Sequence, residues 1–251
     1  MKTDGSEVRK VVEVPGFRNH GSPQWSHDGK RLAFDASPSG TGSSKFFVVN
    51  VDGTGLKELG EHAMPSWSPD DKQLAYQNYG DAGARAGTWV QNLDGQGRTW
   101  IVDGYSPRWS PDGSQIAYTD WRNVKAVDLI ENEHREFHDQ PYDQIQVGFE
   151  WSPDSKRLAF VGTRNNQTEL LIAGVGNPKV RLVRQSGLEG HVSWSPDGKR
   201  LVLIIDRAVY LVDVEGNGDP QKISGLGWKC SDPAWSPDGK WIAFAAKQPT
   251  Q

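Results

Sequence analysis

Only one cysteine occurs in these 251 residues, Cys230. A lone thiol excludes an intramolecular disulfide and leaves the redox compartment open. No run of about 18 apolar residues exists either, so the sequence offers no membrane-spanning helix. Positive charge is not in excess. With 28 Lys and Arg against 32 Asp and Glu, the formal net charge is -4 and the pI near 5.9. That gives no basic footprint for nucleic acid. The start, Met1-Lys-Thr-Asp-Gly5, leads into no apolar stretch and does not read as a signal peptide. Catalytic fingerprints are missing as well. No serine sits in a G-x-S-x-G elbow, and Ser39-Gly-Thr-Gly42 lacks the lysine and following helix of a phosphate loop.

What is abundant is tryptophan, with 11 copies, and six of them open nearly the same ten residues. They are Trp25, Trp67, Trp109, Trp151, Trp194 and Trp235, at intervals of 42, 42, 42, 43 and 41 residues. The fullest versions run Trp194-Ser-Pro-Asp-Gly-Lys-Arg-Leu-Val-Leu203 and Trp235-Ser-Pro-Asp-Gly-Lys-Trp-Ile-Ala-Phe244. Self-similarity at this period marks a propeller blade array. A unit used six times is architecture, so function belongs to the positions at which the copies differ.

One repeat reads as four short strands. Pro65-Ser-Trp67 is an inner strand and Ser68-Pro-Asp-Asp71 a turn, with proline suited to its second position. Gln73–Tyr76, Thr88–Leu93 and Arg98–Val102 follow as second, third and outer strands. Second strands such as Leu32-Ala-Phe34 and Leu158-Ala-Phe160 are apolar on both faces, so neighbouring sheets must cover both. The Ser-Pro-Asp turn is therefore read as structural. The expected fold is an all-β, six-bladed propeller of four-stranded antiparallel blades, a single domain over residues 1–251, monomeric because the ring closes within one chain. Residues 6–14 follow Asp4-Gly5 as Lys57-Glu-Leu59 follows Asp52-Gly53, so an N-terminal strand is expected to join the C-terminal blade. That blade would be built from residues 1–14 and 230–251, and it has no recognisable third strand.

Trp-Ser-Pro-Asp-Gly-Lys, a second strand, and a third strand ending in Asp-Gly together resemble the TolB-type, WD-like propeller repeat. The motif covers essentially the whole chain. The resemblance implies a binding propeller without the N-terminal α/β domain found in TolB itself. It also implies a periplasmic or extracytoplasmic setting, though the compartment is otherwise open. Relatives of this type bind a lipoprotein and translocated peptides, serve as sensor regions, or form part of peptidases and lyases.

The tryptophans serve as a ruler for finding differences. Five residues before them stand His20, His62, Gly104, Gln146, Glu189 and Cys230; three before stand Ser22, Met64, Ser106, Gly148, His191 and Asp232. His20, His62, Glu189, His191 and Asp232 come from adjacent units of a closed ring and are candidate ligands for a pore-bound divalent metal. Thirteen residues after the tryptophan, Arg122, Arg164 and Arg207 form a candidate crescent beside Trp121, suited to a carboxylate-bearing peptide or acidic glycan. Asp120 and Asp206 could equally pair with these arginines on a solvated rim. Tyr142, in the loop 138–146 with His138, and Tyr79, in the glycine-rich loop 78–87, complete the candidate ligand face. The expected function is a non-enzymatic scaffold that requires no cofactor and accepts a protein segment or peptide at the channel mouth. Two alternatives stand: a metal-dependent propeller lyase or hydrolase, and a sensor or gating propeller cut from a larger protein.

Overall fold

The structure, a computed structural model, describes all residues except 81, 82, 138–140, 175, 176, 185, 186, 217, 218, 226 and 248–251. His138 and part of the 78–87 loop thus lie outside the described residues. The chain folds into successive antiparallel sheets, each wound from the axis outward. Blade 1 comprises Phe17–Trp25, Arg31–Pro38, Lys45–Asn50 and Lys57–Gly60; blade 2 comprises Ala63–Trp67, Gln73–Asn78, Gly87–Asn92 and Thr99–Val102. Blade 3 is Tyr105–Trp109, Gln115–Thr119, Val124–Asp128 and His134–Glu136. In blade 4 the inner strand is split into Gln144–Ile145 and Glu150–Trp151, followed by Arg157–Arg164, Gln167–Gly174 and Asn177–Arg184. Blade 5 is Leu188–Trp194, Arg200–Ile205, Ala208–Asp213 and Gln221–Lys222.

The repeated turn is held by its serine. Each hydroxyl donates to the aspartate two residues on, from Ser26–Asp28 at 2.6 Å to Ser236–Asp238 at 2.6 Å. The same oxygen accepts the amide that starts the second strand, as Arg31 does to Ser26 at 2.9 Å and Trp241 to Ser236 at 2.9 Å. All six serines are buried. The turn then needs a residue with positive φ, supplied by Gly29, Gly113, Gly198 and Gly239. Asp71 and Ser155 take that place in blades 2 and 4, at φ 56° and 59°. Their side chains brace the neighbouring turn: Asp71 accepts the amides of His27 and Asp28, and Ser155 that of Asp112.

The tryptophans stitch one unit to the next. The indole N–H of Trp67, Trp151 and Trp194 donates to the carbonyl of Gln24, Arg108 and Glu150 in the preceding blade, each at 3.1 Å. Arg31, Arg157 and Arg200 lie over the rings of Trp67, Trp194 and Trp235, at 4.7, 5.0 and 5.1 Å from their centroids. Between these seams the two-faced second strands fill the core, with Ala33, Ala75, Ala117 and Ala159 fully enclosed.

The blade count corrects the expectation of six. Among the described residues five sheets have four or more strands, and the sixth tryptophan repeat gives only a two-stranded ribbon, Lys229–Trp235 with Ile242–Lys247. The protein is a five-bladed propeller with this ribbon between blades 5 and 1. It is tied on both sides: Trp25 donates to Ala234 O at 3.1 Å, and the Trp235 amide to Ser193 Oγ at 3.1 Å.

The expected N-terminal outer strand does not form either. Instead Met1–Thr3 lies beside the ribbon's second strand, through the Lys2–Trp241 bridge and the Ile242 amide donating to Met1 O at 2.8 Å. The Lys2–Ser6 turn repeats the bonding of Asn50–Thr54 at the end of blade 1's third strand. Met1–Thr3 therefore supplies only the end of a third strand. Among the described residues no third strand is there for residues 6–14 to pair with, and Val11, Val12 and Val14 pack against Phe34, Phe47 and Val49 of blade 1 instead.

Candidate functional site at the channel mouth

The inner strands carry β-bulges where they face the axis, and the position three before each tryptophan sits in or next to them. Ser22, Met64, Ser106, Gly148 and Asp232 there all have positive φ. Around the axis contacts run in two stretches, His191–Asp232–Ser22–Met64 and Ser106–Gly148–His191. His191 Nδ1 lies 2.5 Å from Asp232 Oδ1, and the Ser22 amide donates to Asp232. Ser22 Oγ lies 3.0 Å from Met64 Sδ, and the Gly148 amide donates to Ser106 Oγ at 3.4 Å. A Cβ on Gly148 would stand 2.1 Å from the His191 ring, so only glycine permits that approach.

A second set of side chains joins the ring from the second strands. Asp35 accepts the Met64 amide at 2.8 Å, and Gln77 accepts that of Ser106 at 3.0 Å. Asp35 and Asp232 flank Gly21, whose missing Cβ would lie 3.2 Å from one carboxylate and 3.5 Å from the other. Their protonation diverges. Burial pushes the Asp35 carboxyl up, and the Asp232 carboxylate adds to it against the Met64 amide. Burial also opposes ionisation of Asp232, but His191, Ser231 and the Ser22 amide outweigh it and hold that carboxyl at about 2.

Deeper, a polar bridge crosses the channel from blade 1 to blades 3 and 4. Arg108, 1% exposed, faces Glu150 at 3.6 Å, and Gln24 Nε2 donates to the same Glu150 oxygen at 3.4 Å. Burial lowers the Arg108 pKa against the pull of Glu150, Asp35 and Asp232, and burial raises that of Glu150 against Arg108.

Of the five candidate metal ligands, only His191 and Asp232 come together. His20 accepts the Val14 amide at 3.1 Å, and burial lowers its pKa. His62 is buried, with its ring stacked 4.5 Å from that of Tyr76. Glu189 accepts the Arg207 amide at 3.2 Å and faces its guanidinium at 3.4 Å. Cys230 is buried, and burial together with the Glu189 carboxylate pushes its thiol up to about 11. Among the described residues no group of three His, Cys, Asp or Glu side chains is placed to hold a metal ion.

The candidate ligand face divides. Trp121, 42% exposed with φ 74°, stacks on Tyr105 at 5.3 Å. Arg122 donates to Tyr142 O at 3.3 Å, and Arg164 lies 4.2 Å above the Tyr142 ring. Trp121, Arg122, Tyr142 and Arg164 form one ledge where blades 3 and 4 meet, on the side of the inner-strand loops. Within it Tyr142 is core, 1% exposed and edge-on to Phe160. Arg207 stands apart on blade 5 with Glu189, and Tyr79 is an exposed residue of blade 2. Asp120 pairs with Lys125 at 3.0 Å and with Asn123, not with an arginine side chain.

The sequence reading missed Asp35, Gln24, Arg108 and Glu150. The same ruler reaches them. Ten residues after the tryptophan the copies read Asp35, Gln77, Thr119, Val161, Ile204 and Ala245, and one residue before they read Gln24, Ser66, Arg108, Glu150, Ser193 and Ala234. The outliers in both series are the channel residues.

Comparison with known proteins agrees with this geometry. The family described as the TolB beta propeller domain matches residues 89–251. This chain belongs to the TolB β-propeller family. TolB of Acinetobacter baumannii superposes with a TM-score of 0.69 at 16% identity, over 98% of this chain and 58% of that one. A protein described as a TolB from Agrobacterium tumefaciens gives 0.73 at 20% identity, over 95% and 93% of the two chains. Identities this low speak for the fold alone. In sequence, the uncharacterized peptidase YuxL of Bacillus subtilis is 41% identical over 54 residues, 20% of this chain and 8% of YuxL. The chain thus spans well under two thirds of both YuxL and the Acinetobacter TolB. Among the described residues no helix is long and apolar enough to cross a membrane.

Proposed function

We propose that this TolB-type propeller is a non-enzymatic binding scaffold, acting as a monomer, that takes a protein segment or peptide at the channel mouth. The observation that carries this reading is His191. Its Nδ1 is committed to Asp232, while its Nε2 is buried and finds no hydrogen-bond partner among the described residues. A buried polar atom left unsatisfied costs about 1–3 kcal/mol, which a ligand group would recover if its binding turns the ring enough to reach that atom. The surroundings suit a peptide. Asp35 and Asp232 offer acceptors for N–H groups, and Trp121 stacked on Tyr105 offers an exposed aromatic anchor beside Arg122.

The test is to pan a displayed random-peptide library on the purified protein and titrate enriched peptides calorimetrically. His191→Ala and Trp121→Ala should each weaken binding by about tenfold or more. Failure to enrich any peptide, or enriched peptides indifferent to both variants, would sink the scaffold reading. Elemental analysis of the same protein forms a second arm. Stoichiometric zinc or manganese lost with His191→Ala would replace the scaffold by the metal-dependent lyase or hydrolase reading.

A further inference from the structure

Asp35 and Asp232 each bind the protein with one oxygen and turn the other toward a shared gap. Asp35 accepts the Met64 amide on Oδ2, and Asp232 holds His191 on Oδ1. The opposite oxygens, Asp35 Oδ1 and Asp232 Oδ2, stand 3.2 and 3.5 Å from the point where a Cβ on Gly21 would lie. Glycine thus leaves open the space between two carboxyl groups from different sheets, blade 1 and the ribbon. Solvent reaches this space. Gly21 and Asp35 are partly exposed, and the Asp232 side chain is 14% exposed.

The charges around the gap do not balance. Three carboxyl groups, Asp35, Asp232 and Glu150, share one buried guanidinium, Arg108, and one imidazole, His191. His27 also reaches Glu150 from the side of the Ser-Pro-Asp turns, but it is already paired with Asp71 at 3.0 Å. Arg108, sealed from solvent, faces Glu150 with its Nε at 3.6 Å, and that nitrogen finds no hydrogen-bond partner among the described residues. Its charge is therefore not used up in one ion pair and acts on all three acids. A buried acid left without a counter-charge keeps its proton or takes a cation. In the free protein the proton stays on Asp35, where burial and the Asp232 charge both favour the neutral acid.

We propose that the gap over Gly21 receives a primary ammonium group of the bound peptide, held between Asp35 Oδ1 and Asp232 Oδ2, and that this cation displaces the proton of Asp35. Resting on the scaffold reading, this receptor defines the ligand group that the mouth selects. A chain amino terminus and a lysine side chain both carry that group. The exchange balances: the ammonium enters with its charge, Asp35 becomes a carboxylate, and its proton leaves to solvent. Ammonium bonds to two ionised carboxylates are charge-assisted, about twice as strong as neutral ones. An acetylated amine has lost the charge.

The probes are triglycine amide, which offers an α-ammonium; Nα-acetyl-lysine amide, which offers a side-chain ammonium; and acetyl-triglycine amide, which offers neither. Each is titrated into the whole protein at neutral pH and followed by the amide NMR signals of Gly21 and Met64. Saturable shifts are expected with an ammonium probe, and the probe that saturates identifies the source. Acetyl-triglycine amide should bind about tenfold more weakly or worse. Calorimetry in phosphate and in Tris, whose ionisation heats differ, should show about one proton released per ammonium bound, and Asp35→Asn should abolish that release. Gly21→Ala closes the gap but leaves every charge in place; it should weaken the ammonium probes by about tenfold while the melting transition persists. Equal affinity for the acetylated probe, no proton release, unchanged affinity in Gly21→Ala, or failure of both ammonium probes would overturn the proposal. The scaffold reading fails separately, when no library peptide depends on His191 or Trp121.

Discussion

Leu158-Ala-Phe160 in blade 4 and Ile242-Ala-Phe244 in the ribbon are nearly the same sequence, after the same turn, each paired with an inner strand that ends in a repeat tryptophan. Phe160 is fully buried, and Phe244 is not. The local sequence therefore sets strand and turn, while burial is set by whether a third strand arrives. Toward the axis the difference vanishes. The ribbon's Ala234 carbonyl receives the Trp25 indole, and its Asp232 holds His191 and the Ser22 amide. Among the described residues the ribbon is thus anchored like a blade at the channel and open at the rim.

Four substitutions would break or sharpen this contrast. The largest effect should come from Phe160→Ala, which empties a filled core and should cost about 3–5 kcal/mol in chemical denaturation. Phe244→Ala should cost only about 1 kcal/mol, because part of that ring is already in water. Equal losses would mean that the ribbon is packed like a blade.

Next comes the axial tie. The folded-state pKa of Asp232, about 2, lies below the ordinary carboxylate value. Its contribution is therefore complete above the unfolded pKa and is lost as pH falls from about 4 toward 2, on the order of 2 kcal/mol. Asp232→Asn should be destabilised by this order at neutral pH and should converge with the parent protein near pH 2. A constant difference between pH 7 and pH 2 would show that Asp232 ties the ribbon by something other than its charge.

The smallest effect belongs to Asp35, across Gly21 from Asp232 but on a complete blade. Its pKa is raised, so whatever stability it confers is present below the unfolded pKa and declines as pH rises through the folded one. Asp35→Asn keeps an acceptor for the Met64 amide and removes the like charge. Its stability at pH 7 should be unchanged or slightly higher, measured by denaturant titration. A clear loss would contradict the protonation assigned to this pair.

The periodic parts of this architecture were legible in sequence. Tryptophan spacing located every inner strand, and the Ser-Pro-Asp turns fell where the motif put them. The position three before the tryptophan did mark the channel ring. Blade number was misjudged because the tryptophan motif reports only the inner strand and first turn of each unit, and a ribbon of two strands satisfies both. The metal set dispersed for a related reason. The position five before the tryptophan lies beyond the bulge, so His20, His62 and Glu189 turn to neighbours in or beside their own blades while His191 and Asp232 face the axis. Asp35 and Arg108 were passed over because they interrupt strands read for apolar periodicity, and their meaning depends on a ring partner far away in sequence.

Amide hydrogen exchange, followed peptide by peptide in the intact protein, tests the central claim most directly. The account predicts strong, similar protection across the second strands Arg31–Pro38, Gln73–Asn78, Gln115–Thr119, Arg157–Arg164 and Arg200–Ile205. In Ile242–Lys247 the Ile242 amide should be protected by Met1, while Phe244 and Ala246 exchange orders of magnitude faster. Protection of Phe244 and Ala246 equal to that of their counterparts in the five blades would contradict the open edge and the five-bladed architecture with it.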